Sequence, residues 1–99
     1  MNEFVYLVRP AFDRAFAATA GPHEREVVDA HSEFLLELQR SGRLVYAGRC
    51  FDGPFGIIVF TAEDEDDARA AMEADPSVFA GVQRGELHPF KTGLIGAAP

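Results

Sequence analysis

The stretch EFVYLVR, near the start of the chain, is apolar in both of its alternating registers: Phe4, Tyr6 and Val8 fall on one side of an extended segment, Val5 and Leu7 on the other. Such a segment reads as a central β-strand with both faces covered, because exposing either one would leave apolar side chains in water. That is a demanding requirement for 99 residues. A chain of this length buries only a little over ~60% of its unfolded surface, so residues 1–99 are expected to form one small domain. Covering the second face of its sheet then calls for another copy.

The rest of the chain supplies the other layers. After PAFDRAFAATAGP, where Phe12 and Phe16 suggest a single helical turn, Pro22 opens HEREVVDAHSEFLLELQRS. Proline is favoured at a first helical position, and Arg40 and Gly42 are the usual stop signals. Val27, Val28, Phe34, Leu35 and Leu38 make an apolar stripe at helical spacing. RLVYAGR and FGIIVFT read as two strands joined by an Asp-Gly-Pro turn. A second helix follows, with Asp64 as N-cap and Glu65, Asp66 and Asp67 at its positive end. Its small face of Ala68, Ala71 and Met72 suits packing on a sheet. The acidic run is thus a solvated helix start, not a metal site. ELHPFKTGLI closes the chain as a strand, which Pro89 marks as an edge. The order β-α-β-β-α-β specifies an α+β, ferredoxin-like fold: a four-stranded antiparallel sheet with two helices on one face. The apolar second face makes a homodimer the expected assembly.

Composition removes several functions. Acids outnumber bases 16 to 9, for a net charge of −7. Nucleic-acid binding rests on lysines and arginines that neutralise phosphates, and an anionic membrane surface needs the same charges; neither partner is expected. The longest apolar run, around IIVF, is far short of the ~20 residues that span a bilayer. The lone Cys50 cannot form an internal disulfide, and MNEFVYLVRP is too short and charged for a signal peptide. The expected location is therefore the cytoplasm.

Two residues sit where packing rules would not put them. His31 lies on the apolar stripe of the first helix, and Asp75 ends the second, where the helix dipole disfavours an acid. Each has an ordinary explanation: a core histidine bonded to backbone, and Asp-Pro turn chemistry. In a β-α-β-β-α-β fold, however, the two helices lie side by side, and the middle of the first can approach the end of the second. A carboxylate beside an imidazole fixes its tautomer and suits it to proton transfer near neutral pH. His23 and His31 are eight residues apart, roughly 12 Å along a helix axis, so they cannot share an ion. His88 adds no cluster, and no metal is expected. Cys50 shows no neighbouring base that would activate a thiol.

The chain also resembles the YCII-related (YciI-like) family. The similarity runs nearly end to end through FVYLV, AHSEFLLELQRSGRLVYAG, ADPSVFAGV and HPFKTG. It implies a dimeric α+β barrel and a candidate active-site cleft with a His–Asp pair, matching His31 and Asp75. Most members have no known reaction; one relative in chloroaromatic degradation is a dehydrochlorinase, and the fold resembles muconolactone isomerase. This chain departs from the pattern at Val28, where a basic residue is frequent, and at Arg49, where AGP is usual and AGR stands here.

The expected function is general acid–base chemistry of the lyase, isomerase or dehydrochlorinase type on a small organic molecule. His31 and Asp75 are the candidate catalytic residues. Arg49, Tyr6 and Tyr46 are the candidate substrate contacts, Arg49 as a fork for a carboxylate. No cofactor is expected, since the sequence has no glycine-rich phosphate loop. The rival reading is a non-catalytic dimer that binds a small metabolite or serves as an accessory module.

Overall fold

Strand β1 (Asn2–Pro10) bonds to a neighbour along each of its edges, as its two apolar faces require of a central position. In the computed structural model, which describes residues 1–10, 22–53 and 55–96, the strands run in the order β2-β3-β1-β4, every neighbouring pair antiparallel. β2 is Leu44–Arg49, β3 is Gly56–Ala62 and β4 is Gln83–Pro89. The two inner strands carry the burial. Phe4, Tyr6 and Val8 register against Phe60, Ile58 and Gly56, and all six are buried.

Helix α1 (Pro22–Arg40) begins at the proline and ends in a turn at Gly42, whose φ of +79° favours a residue without a Cβ. Helix α2 (Glu65–Ala74) is capped reciprocally: Asp64 Oδ1 accepts from the Asp67 amide at 2.8 Å, and Asp67 Oδ2 accepts from the Glu63 amide at 2.9 Å. Leu38 of α1 and Ala68 and Met72 of α2 join Phe4, Tyr6, Val8, Ile58, Phe60 and Ala62 in one core, so both helices cover the same face of the sheet. Gly85 of β4 lets α2 approach closely; a Cβ there would meet the Met72 sulfur at 2.8 Å. The architecture is the ferredoxin-like α+β fold.

Three details differ from the sequence reading. A short helix α3 (Pro76–Phe79) follows α2, started by Asp75 and Pro76. β4 begins at Gln83 and stops at Pro89, which has no N–H to continue the ladder. Val28 is 48% exposed while Val27 and Leu38 are buried, so the apolar stripe of α1 is narrower than its sequence suggests. The turn expected around Phe12 and Phe16 lies outside the described residues. No helix among the described residues is long and apolar enough to cross a membrane.

The helix-free face is apolar at its centre. Val5 registers against Val59 and Leu7 against Ile57, and Tyr46 of β2 stands beside Val59, 44% exposed.

Candidate active site

Asp75 caps two helices at once. Its backbone ends α2, and its side chain starts α3 by accepting from the Ser77 amide at 3.0 Å. The acid at the negative end of α2 is therefore also an acid at the positive end of the next helix, which offsets the dipole penalty. The carboxylate has no exposed surface and draws on three separate elements. Tyr6 of β1 donates its hydroxyl to Oδ2 at 2.7 Å. Ser77 of α3 donates its hydroxyl to Oδ1 at 2.8 Å. His31 Nδ1, from the middle of α1, lies 2.8 Å from Oδ1 and 2.7 Å from Oδ2.

These contacts fix the protonation pattern. Burial is the largest influence on the Asp75 carboxyl and would raise it. The bonds from His31 and Tyr6, the charge His31 carries when protonated and the Ser77 bond act the other way, and together they hold it below the usual carboxylate range. An ionised carboxylate only accepts, so the Nδ1 that faces it carries a hydrogen. In the neutral ring the lone pair is then on Nε2, at the opposite edge. Burial first, then the Asp75 charge and the bond to it, push the Tyr6 hydroxyl far above the ordinary phenol range and keep it a donor. Ser77 has one hydroxyl proton and two acceptors within reach, Asp75 and Gln83 Oε1 at 2.7 Å; the charged one is the stronger.

The His31 side chain is 16% exposed and lines a cleft of about 900 Å³. One wall is α1, through Arg25, Val28, Ser32 and Leu35; the other is the end of β2 and the turn into β3, from Ala47 to Phe55. Arg49 and Cys50 line that second wall, and Gln83 lies at the base. Tyr6, expected to offer a hydroxyl to the cleft, is instead fully buried beneath Asp75, its ring edge-on to Phe60 at 5.6 Å. Tyr46 lines a smaller hollow of about 250 Å³ with Gly48 and Ile57. His88 is on β4 against Glu86, away from the cleft.

Three contributors were not read from the sequence. Ser77 had a signal, since Asp-Pro-Ser lets the Asp side chain accept from the amide two residues on. Arg25 shares a helix stripe with Val28, Ser32 and Leu35, at spacings of three, four and three. Gln83 gave no local signal.

The sequence profile of the YCII-related domain matches residues 5–91. The chain belongs to the YCII-related domain family. Among solved structures this YCII domain is similar to 5-chloro-2-hydroxyhydroquinone dehydrochlorinase (TftG) from Burkholderia phenoliruptrix AC1100, in complex with 2,5-dihydroxybenzoquinone. The identity is 17%, the TM-score 0.67, and the match covers 91% of this chain and 95% of that one. It is also similar to MtbAldR at 14% identity and a TM-score of 0.53, covering 98% of this chain and 59% of that one. At these identities the likeness is one of fold. No curated protein matches the chain in sequence.

The Asp75 pocket makes a pH-dependent prediction. Because the folded carboxyl ionises below the unfolded value of about 3.9, its stabilisation is complete above that pH and is lost as pH falls through the folded value. Asp75→Asn leaves buried donors facing an amide and is expected to cost about 3–5 kcal/mol. In urea titrations the gap between wild type and variant should be widest above about pH 4 and should close in more acidic buffer.

Proposed function

We propose that the protein is a small-molecule enzyme that moves protons at the α1 cleft, of the lyase or isomerase type and including dehydrochlorination. The observation that carries this reading is the hydrogen-bonded contact between His31 Nδ1 and the buried Asp75 carboxylate, on a ring that lines an open cleft. His31 Nε2 accepts a proton from a C–H or O–H group of the substrate. In an elimination, the electron pair left behind forms the new double bond as the leaving group departs with its own pair. In an isomerisation, the same nitrogen returns the proton to another atom. Asp75 orients the ring and stabilises the imidazolium that forms. Tyr6 and Ser77 position Asp75. The 900 Å³ cleft falls within the range of small-molecule sites.

Family membership and the likeness to TftG support this reading. Dehydrochlorination is loss of HCl, and a base placed to take the proton is its minimum equipment. Tyr46 and Arg49, at the two hollows flanking β2, are the proposed substrate contacts on the sheet side.

The working form is proposed to be a homodimer joined through the helix-free sheet face. Leu7, Ile57 and Tyr46 keep part of their apolar surface exposed there, and a second copy would remove it from water.

Two measurements check these proposals. On a substrate found by screening hydroxylated and halogenated aromatics, His31→Ala is expected to lower kcat by about 10²–10⁴ while circular dichroism stays native. A folded variant with undiminished turnover, or a ligand recovered unchanged after long incubation with the wild type, would favour the binding-module reading. Light scattering is expected to give twice the chain mass; a monomer at all concentrations would refute the dimer.

A further inference from the structure

The cleft is mostly apolar, and its cations stand out against a chain with a net charge of −7. Arg25 overlooks it from α1 and Arg49 from the end of β2. Other arginines are committed: Arg40 pairs with Glu37, Arg43 with Asp67 and Arg69 with Glu65. Neither Arg25 nor Arg49 has a carboxylate among the described residues within ion-pair distance. The Arg49 guanidinium lies over the Phe51 ring at 5.7 Å, a contact that orients it without neutralising it. Asp52, the carboxylate on the described cleft wall, already has an interaction of its own. Arg25 sits in the first turn of α1, where the dipole disfavours a cation. Two unpaired guanidiniums on facing walls, in a protein with acids to spare, are placed for something that arrives with a negative charge.

The second feature is aromatic. Phe51 is 95% exposed at the cleft, and Phe55 lines the same wall. An apolar body resting on these rings would remove their surface from water.

We propose that the cleft selects an organic anion: a carboxylate carried on an aromatic or aliphatic body, with Arg25 and Arg49 holding the carboxylate and Phe51 and Phe55 packing the body. Guanidinium forks match a planar carboxylate, so the pair fixes the orientation of the molecule as well as its charge. This deepens the reading of the cleft as a substrate site and rests on it.

Binding of matched acid and amide pairs tests it with no need for the true substrate. The probes are benzoate with benzamide, phenylacetate with phenylacetamide, and 3-phenylpropionate with 3-phenylpropionamide, titrated into the full chain by NMR at fixed ionic strength. At least one acid is expected to bind about tenfold or more tightly than its amide. Arg25→Gln and Arg49→Gln should each reduce that preference several-fold and leave amide binding unchanged, and the double variant should abolish it. Equal binding of acid and amide, no binding of any acid, or a preference that survives both substitutions overturns the proposal. His31→Ala separates this result from the catalytic reading. Loss of turnover with the acid preference intact supports both; turnover retained beside an Arg-dependent preference sinks the chemistry and keeps the anion site.

Discussion

A carboxylate stripped of water is tolerated inside a protein only when other donors replace its hydration. Asp75 meets that condition with hydrogens from Tyr6, Ser77 and His31. Those donors come from the central strand, the helix that Asp75 itself begins, and the long helix across from it. The site is therefore also a tie between three elements of the fold. Moving α1 along the sheet would strand a buried charge, so the position of His31 is fixed by an electrostatic demand as well as by packing. Among the described residues, no buried side-chain nitrogen or oxygen lacks a partner.

This arrangement separates the ring's two nitrogens by environment. Nδ1 is held against a buried anion, and Nε2 belongs to the edge of a ring that lines a cleft. Such asymmetry prepares an imidazole to exchange a proton with a guest without losing its place. Tyr6 has no part in the cleft, yet it shapes the chemistry by keeping Asp75 ionised. Arg25 and Arg49 act on the other side of the ring's surroundings, where a bound molecule would lie.

Much of this was legible from local signals. β1 announced its central position through two apolar faces, Pro22 and Gly42 bounded α1, and Asp64 opened α2. The approach of His31 to Asp75 followed from topology, because both residues broke the rules of their own helices. What escaped had non-local causes. Tyr6 looks like any strand aromatic until the helix above it is known to end in an acid. Arg25 reads as a solvated charge until the opposite wall is in place. Val28, on an apolar stripe by sequence, is exposed because the stripe's edge overlooks a cleft instead of the sheet. Helix α3 was missed because Asp-Pro reads equally well as a turn, and only the side-chain bond to Ser77 shows a second helix starting.

The central claim is that ionised Asp75 holds His31 as the Nδ1–H form and leaves Nε2 to do the proton exchange. Long-range proton–nitrogen NMR of the folded chain reports this directly. The account predicts that Nδ1 keeps its hydrogen across the titration of the ring and that Nε2 is the nitrogen whose shift follows pH. A neutral ring protonated on Nε2, or an Nδ1 that loses its hydrogen while the protein remains folded, would contradict it.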